Sequence, residues 1–294
     1  MIFKNIEVQD KILIDPFLQC DGFITAERNF AVLYCWGKAL ETKFCITDGM
    51  LFLLIEHPEI LLYYMPLGSG DMENAKKLIK DDADARRKPF KIIGITKEKL
   101  DFFDDYKTAE VRDSFNYIYD SESFISLKGK KLHSKRNFIN RFKTEHEGNW
   151  EYRELDFSKD KERIFEFLKK WRFENSENRS DFKNEYSAIE YAFEYHTELE
   201  IKGGVLLLKG QIIGFSLAAA QNSLVIDVMI EKADHSVNGA YQMLANCFAK
   251  EFCSEYKYIN REEDMGIEGL RKSKLSYNPV FLSEVYETIG EFKR

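Results

Sequence analysis

The order of strand, turn and helix signals along the chain occurs twice, and that doubled order restricts the fold more than any other feature. In the first half, the β-rich runs Lys43–Thr47 and Met50–Glu56 flank the turn Asp48-Gly49, and a third run, Ile60–Met65, follows. A Gly-containing loop (PLGSGD) then leads into a polar helix over about Asp71–Lys88, a strand at Phe90–Ile95 and a short helix from Lys97. In the second half, Val205–Lys209 and Ile212–Ala220 flank Gly210-Gln211, and Ser223–Glu231 gives the third strand. A long helix over about Val237–Tyr256, a short strand Lys257–Asn260, a helix near Gly266–Lys274 and the run Phe281–Tyr286 complete the series. Three antiparallel strands, a helix, a strand and a helix, stated twice, predict an α+β protein of two tandem lobes with mixed sheets. The divisions fall at 1–126 for the N-terminal lobe, 127–147 for a basic bridging helix and 148–294 for the C-terminal lobe.

The second-half helix has the clearest packing face, because Tyr241, Leu244, Ala245, Phe248 and Phe252 recur at three- and four-residue steps. Ile164, Phe165, Leu168 and Trp171 mark a similar face on a helix that opens the second lobe. Residues 126–147 contain no Pro and only Gly129 before Gly148, so they read as a helical tie between lobes.

Of the 294 residues, 43 are Lys or Arg and 50 are Asp or Glu, a net of −7, which argues against a protein held on nucleic acid by charge alone and confines any such contact to a local patch. Up to Trp150 there are 23 basic and 24 acidic residues, so the excess acid lies C-terminal. Against that background, Lys128–Lys143 carries seven Lys/Arg and no acid. On a helix, His133, Arg136, Asn137 and Asn140 would share one face while Phe138 and Phe142 pack. Lys135, Arg136 and Arg141 are then candidates to contact phosphates of a tRNA or of coenzyme A; the alternative is a solvated linker. Apolar runs such as Met50–Ile55 are far short of the roughly 18–20 residues that span a bilayer. Glu7 and Asp10 interrupt any signal-peptide core, and five scattered cysteines without CxxC spacing fit a reducing, cytoplasmic setting. No pair of histidines has metal spacing, so no metal site is expected.

Chemistry is arguable at two places in the second half. The strand that ends at Glu231 runs into a loop whose Asn238, Gly239 and Ala240 open a helix, either an anion site at the helix end or an ordinary capped helix. Asn260, Arg261, Glu262, Glu263 and Asp264 crowd a strand end ahead of a helix bearing Arg271, Lys272 and Lys274. Such a cluster holds an amino-acid-like zwitterion, or it is a lattice of Arg–carboxylate pairs locking the helix. Asp227 lies in an otherwise apolar strand, Glu231 at its end is placed to act as a general base, and Tyr241 could protonate a leaving group.

The element order resembles the GNAT acyltransferase fold, whose acyl-CoA members carry a Q/R-x-x-G-x-G/A loop. At His235–Ala240 that loop has His for Gln/Arg and Asn238 for the first Gly, whereas Met65–Gly70 in the first half keeps Gly68 and Gly70 and loses only the leading residue. Three further blocks, Leu127–Phe142, Val237–Gln242 and Ile259–Pro279, look like the family named after the C-terminal domain of phosphatidylglycerol lysyltransferase. That resemblance, covering roughly residues 27–286, implies tandem GNAT-like lobes related to Fem-type aminoacyl-tRNA-dependent transferases. It implies an acyl or aminoacyl transferase with aminoacyl-tRNA or acyl-CoA as donor and a small molecule or lipid head group as acceptor. The membrane-embedded N-terminal part of the full lysyltransferases has no counterpart here, which counts against a lipid. The alternative is a non-catalytic small-molecule-binding or regulatory protein on a degenerate GNAT fold.

Overall fold

In the computed structural model of the chain, which describes residues 1–20, 22–174 and 182–289, the doubled order is realised as two sheets of matching design. The first half runs β1 (Lys4–Asn5), α1 (Lys11–Leu18), α2 (Phe30–Ala39), β2 (Lys43–Thr47), β3 (Met50–Glu56), β4 (Leu61–Tyr64), β5 (Leu67–Gly68), α3 (Met72–Arg86), β6 (Phe90–Ile93), β7 (Ile95–Thr96) and β8 (Thr108–Glu110). Next come β9 (Asn116–Asp120), α4 (Ser121–Ser126) and α5 (His133–Glu145). The second half runs β10 (Trp150–Glu154), α6 (Lys161–Glu174), α7 (Phe182–Glu194), β11 (Lys202–Leu208), β12 (Gln211–Ala220), β13 (Val225–Ala233), α8 (Ala240–Phe252), β14 (Tyr258–Asn260), α9 (Glu268–Leu275), β15 (Phe281–Ser283) and β16 (Val285–Thr288). Each sheet is an antiparallel meander closed by one parallel pair, β4 with β6 and β13 with β14.

The sheets do not divide at residue 126. β9 inserts between β14 and β15 in the second sheet, and β16 returns to pair with β7 and β8 beside the first. Each lobe thus borrows a strand from the other's stretch of sequence, a pairing that periodicity within one segment cannot reveal.

The bridging role expected of residues 127–147 also falls elsewhere. α5 packs on α8 within the second lobe, whose cluster includes Ile139, Phe142, Met243 and Leu244. The lobes are joined instead by α2 against α7, where the Tyr34 and Tyr195 rings meet edge-on at 5.3 Å, and one apolar core runs through both. α2 escaped the sequence reading because Phe30 to Cys35 is buried without a break, which leaves no polar face to set a helical period. α8 begins at Ala240 rather than Val237, because Gly239 sits at φ 84, a left-handed conformation that suits glycine.

Candidate functional site

Parallel pairing of β13 with β14 lasts three residues and stops at Asp227 opposite Asn260. Past that point β13 continues along β12 alone, where the register slips between Leu217 and Ala219. The chain leaving β14 turns away, with Glu262 and Met265 at φ 54, a conformation that side chains seldom adopt and that concentrates at functional sites. The two strands therefore part like a wedge, and the side chains at its root face each other across the lobes.

Four carboxyl groups act on one another at that root. Asp227 on β13 is fully buried and neither of its oxygens has a hydrogen-bond partner. Burial pushes its pKa well above the ordinary carboxylate range, and Glu27 and Glu263 push it further, with Lys274 and the Asn29 amide opposing them. Glu262 is raised by burial, then by Asp227 and Glu263, and its Oε1 is buried without a partner. Glu263 is raised by burial and by Glu27. Tyr64, at the end of β4 in the first lobe, is raised by burial and by the same Glu27 and Glu263. The single ammonium in the group belongs to Lys274, whose Nζ donates to the backbone oxygens of Arg261 and Glu263. Burial lowers its pKa to about 8, with Glu263 acting against that shift and Arg261 adding to it.

Asn116 fixes the two lobes at this point, since its Oδ1 accepts from the Ala26 N–H and from Asn260 Nδ2, both at 2.9 Å. Glu27 follows Ala26 directly, so this one amide sets Glu27 beside the β14 turn. Asn29 Nδ2 donates to Ala219 O at 3.0 Å, anchoring the same segment to β12.

The remainder of the wedge is filled. Arg261 reaches between the strands to pair with Glu231 at 2.5 Å, and its guanidinium lies 5.0, 5.3 and 5.9 Å from the Tyr277, Phe124 and Tyr119 rings. Lys135 packs on Tyr277, with Nζ 4.2 Å from the ring centre, and burial together with Arg261 lowers its pKa to about 8. Asp264 and Arg271 form a separate lattice. The Asp264 carboxylate takes Arg271 Nε at 2.8 Å, Arg112 Nη1 at 3.1 Å and the Tyr117 hydroxyl at 2.5 Å. Arg271 also pairs with Asp113 at 2.6 Å, tying α9 to the segment before β9.

The residues singled out in the sequence are thus split. Asp227 and Lys274 lie in the carboxyl cluster, with Asn260 holding its frame. Arg261 and Glu231 neutralise each other in the wedge, and Asp264 and Arg271 are lattice members. Tyr241 lies outside the cluster, its hydroxyl 3.3 Å from Trp171 Nε1 and 3.4 Å from His235 Nε2. A Cβ on Gly239 would come within 2.7 Å of Phe138 O, so α5 lies against the loop of Asn238, Gly239 and Ala240. Gly68 and Gly70 are pressed on the β2–β3 turn, where a Cβ would meet Gly49 O and Asp48 O at 2.2 Å. On α5, Ile139 and Phe142 pack inward with Lys135, one helical stripe, while Phe138, expected to pack, is 41% exposed. Arg136 turns back to the Leu127 and Gly129 carbonyls, and Arg141 pairs with Glu145 at 2.6 Å on the surface.

Glu27 and Tyr64 carried no signal in the sequence; only the contact between lobes gives them a role. An open groove of about 610 Å³ runs between α1 and the β12–β13 turn. Its charged lining, Lys11 and Asp15, is already paired at 2.8 Å, so the unpaired carboxyl cluster is the better site. Among the described residues no group of metal-ligating side chains is found, and no helix is long and apolar enough to cross a membrane.

Comparison with known proteins places this architecture. A conserved protein of unknown function from Bacteroides thetaiotaomicron is 33% identical and superposes with a TM-score of 0.90, covering 98% of this chain and 99% of that one. L-PGS from Bacillus licheniformis is 15% identical with a TM-score of 0.68, over 98% of this chain and 93% of its own. FemX is 11% identical with a TM-score of 0.61, over 99% and 98%. Both share the fold of this chain, as does a tandem GNAT protein from the clavulanic acid biosynthesis pathway, 8% identical with a TM-score of 0.56 over 98% of each chain. The family model described as phosphatidylglycerol lysyltransferase, C-terminal, matches residues 24–288, and the chain belongs to that family.

Proposed function

We propose that this chain is an aminoacyl transferase whose donor is carried on RNA and not on coenzyme A. The observation that carries this reading is the position of α5. A coenzyme A pyrophosphate needs free backbone N–H groups at a helix start, and here the α5 backbone lies against Gly239 at the start of α8. The first-lobe loop offers no substitute, because Gly68 and Gly70 are packed on the β2–β3 turn. Meanwhile Lys128, Lys130, Lys131, Arg141 and Lys143 stay exposed along the α5 region, a basic strip on an acidic protein. Membership of the family supports the same class of transfer.

In this reading the acceptor meets the aminoacyl ester at the carboxyl cluster, where a desolvated carboxylate takes a proton from the attacking group. Filter binding of deacylated tRNA tests the donor. Wild type should bind with an affinity that falls steeply with salt, by a log–log slope of about −0.7 for each single-strand phosphate neutralised. Lys130→Glu/Lys131→Glu/Arg141→Glu/Lys143→Glu should bind at least tenfold more weakly. Equal, weak binding by both proteins removes RNA as the donor. The ring-packed Arg261 that fills the wedge favours a second reading, a binding protein without turnover; absence of transfer from a full set of charged tRNAs, with amine binding retained, would select it.

A further inference from the structure

We infer that the carboxyl cluster between the lobes is an ammonium site, and that the acceptor in the proposed transfer is a primary amine. Glu27 and Glu263 act on Asp227, and Asp227 and Glu263 act on Glu262, while the one ammonium that acts against them, that of Lys274, is already occupied by two backbone carbonyls. Three oxygens, both of Asp227 and Oε1 of Glu262, are buried without a well-formed hydrogen bond; the one amide beside Asp227, that of Asn29, donates to Ala219 O and only partly offsets the raised Asp227 pKa. Buried polar atoms of that kind are nearly always hydrogen-bonded in native structures, so the cluster has the form of a site short of a donor-rich, positively charged group. An ammonium brings N–H donors and a positive charge, and acceptors for such a group stand here without a well-formed partner. Tyr64, from the first lobe, feels the charges of Glu27 and Glu263 and packs over Gly94, where a Cβ would lie 3.2 Å from its ring.

The transfer step rests on the reading given under Proposed function; the ammonium site does not. An amine arriving as R–NH3⁺ gives one proton to an ionised carboxylate of the cluster. The freed nitrogen lone pair forms a bond to the carbonyl carbon of the aminoacyl ester. The ester C–O bond breaks, and the departing ribose oxygen takes the second amine proton, leaving an amide and a ribose hydroxyl. The carboxyl group then returns its proton to solvent. The groups facing Asp227 through these changes are Glu27, Glu262, Glu263 and Lys274, with Tyr64 across from Glu27 and Glu263.

The probe is 1,5-diaminopentane, with 1,5-pentanediol as its uncharged counterpart, in thermal-shift and calorimetric titrations at constant ionic strength. The diamine should raise the melting temperature in a saturable way while the diol does not. Because burial and mutual repulsion shift Asp227, Glu262 and Glu263 toward the protonated form, a bound cation should draw protons off them, and calorimetry in two buffers of different ionisation enthalpy should show net proton release. Asp227→Asn and Glu262→Gln should each weaken diamine binding at least tenfold while remaining folded. Equal responses to diamine and diol, or a diamine response unchanged in both variants, would overturn the site. tRNA filter binding is read separately, so loss of the RNA donor and loss of the ammonium site are distinct results.

Discussion

A carboxyl group buried without a well-formed hydrogen bond costs the folded state free energy, and Asp227 is such a group. Its folded pKa is raised above the unfolded value near 3.9, so the native state holds the proton longer. Stability should therefore fall as pH rises above about 4 and stay lower once the folded group has ionised. Asp227→Asn removes that cost, and the empty variant should melt higher than wild type at pH 7, with a smaller gain at pH 4. Scanning calorimetry at the two pH values checks this, and a variant that melts lower at both refutes it. Asp264 works with the opposite sign. It is fully buried, yet Arg271 and Tyr117 overcome that burial and hold its pKa down to about 2. Its contribution is present above about pH 4 and lost as pH falls toward 2. Asp264→Ala should cost roughly 3 kcal/mol in urea denaturation, since it removes the buried carboxylate that Arg112, Arg271 and the Tyr117 hydroxyl share, while Asp113 still pairs with Arg271. Asp227 was legible in the sequence because an acid within an apolar strand breaks a pattern. Glu27 was not, because the segment TAERNF around it sets up no pattern to break.

At the level of elements, one helix decides what the α8 loop can accept. Lys135, Ile139 and Phe142 are four and three residues apart and share a stripe, so α5 turns Lys135 toward Tyr277 and leaves Phe138 outside. The sequence reading paired Phe138 with Phe142 instead, since a lysine on the buried stripe looks like a surface residue until an aromatic partner is known. Gly239 reports the fit between the two helices. Gly239→Ala adds a Cβ 2.7 Å from Phe138 O on top of a left-handed backbone, for a loss of about 2–4 kcal/mol. Gly148→Ala has a similar φ but meets nothing within 4 Å and should cost only about 1 kcal/mol. Equal losses, measured by chemical denaturation, would mean that α5 does not press on the loop. Within the wedge, Arg261→Ala leaves Glu231 unpaired and should cost about 3–5 kcal/mol, whereas Arg261→Met/Glu231→Leu should recover most of it. A double variant no more stable than the single would show that the rings, and not the ion pair, hold Arg261.

Across the whole molecule, the two lobes cannot behave as separable parts. The strand order within each half was visible because hydrophobic runs and turns are local. The exchange of β9 and β16 was invisible because each strand finds its sheet more than a hundred residues away in sequence. With an apolar core shared through α2 and α7, unfolding should be one transition. The tryptophans allow a direct check: Trp36 lies on α2 in the first lobe, and Trp171 on α6 in the second. Variants retaining only one of them should give the same denaturation midpoint, and two midpoints separated beyond error would mean that the lobes melt independently.

The exchanged strands also order events in time. Many multi-domain chains complete their N-terminal domain while the ribosome is still adding the next. Here the small sheet of the first lobe needs β16, which is made after residue 284, and the second sheet needs β9, which is made before residue 121. The nascent first lobe must therefore wait, with β7 and β8 unpaired, through the synthesis of nearly the entire second lobe. During translation that interval of open strand edges is when a chaperone has most to do.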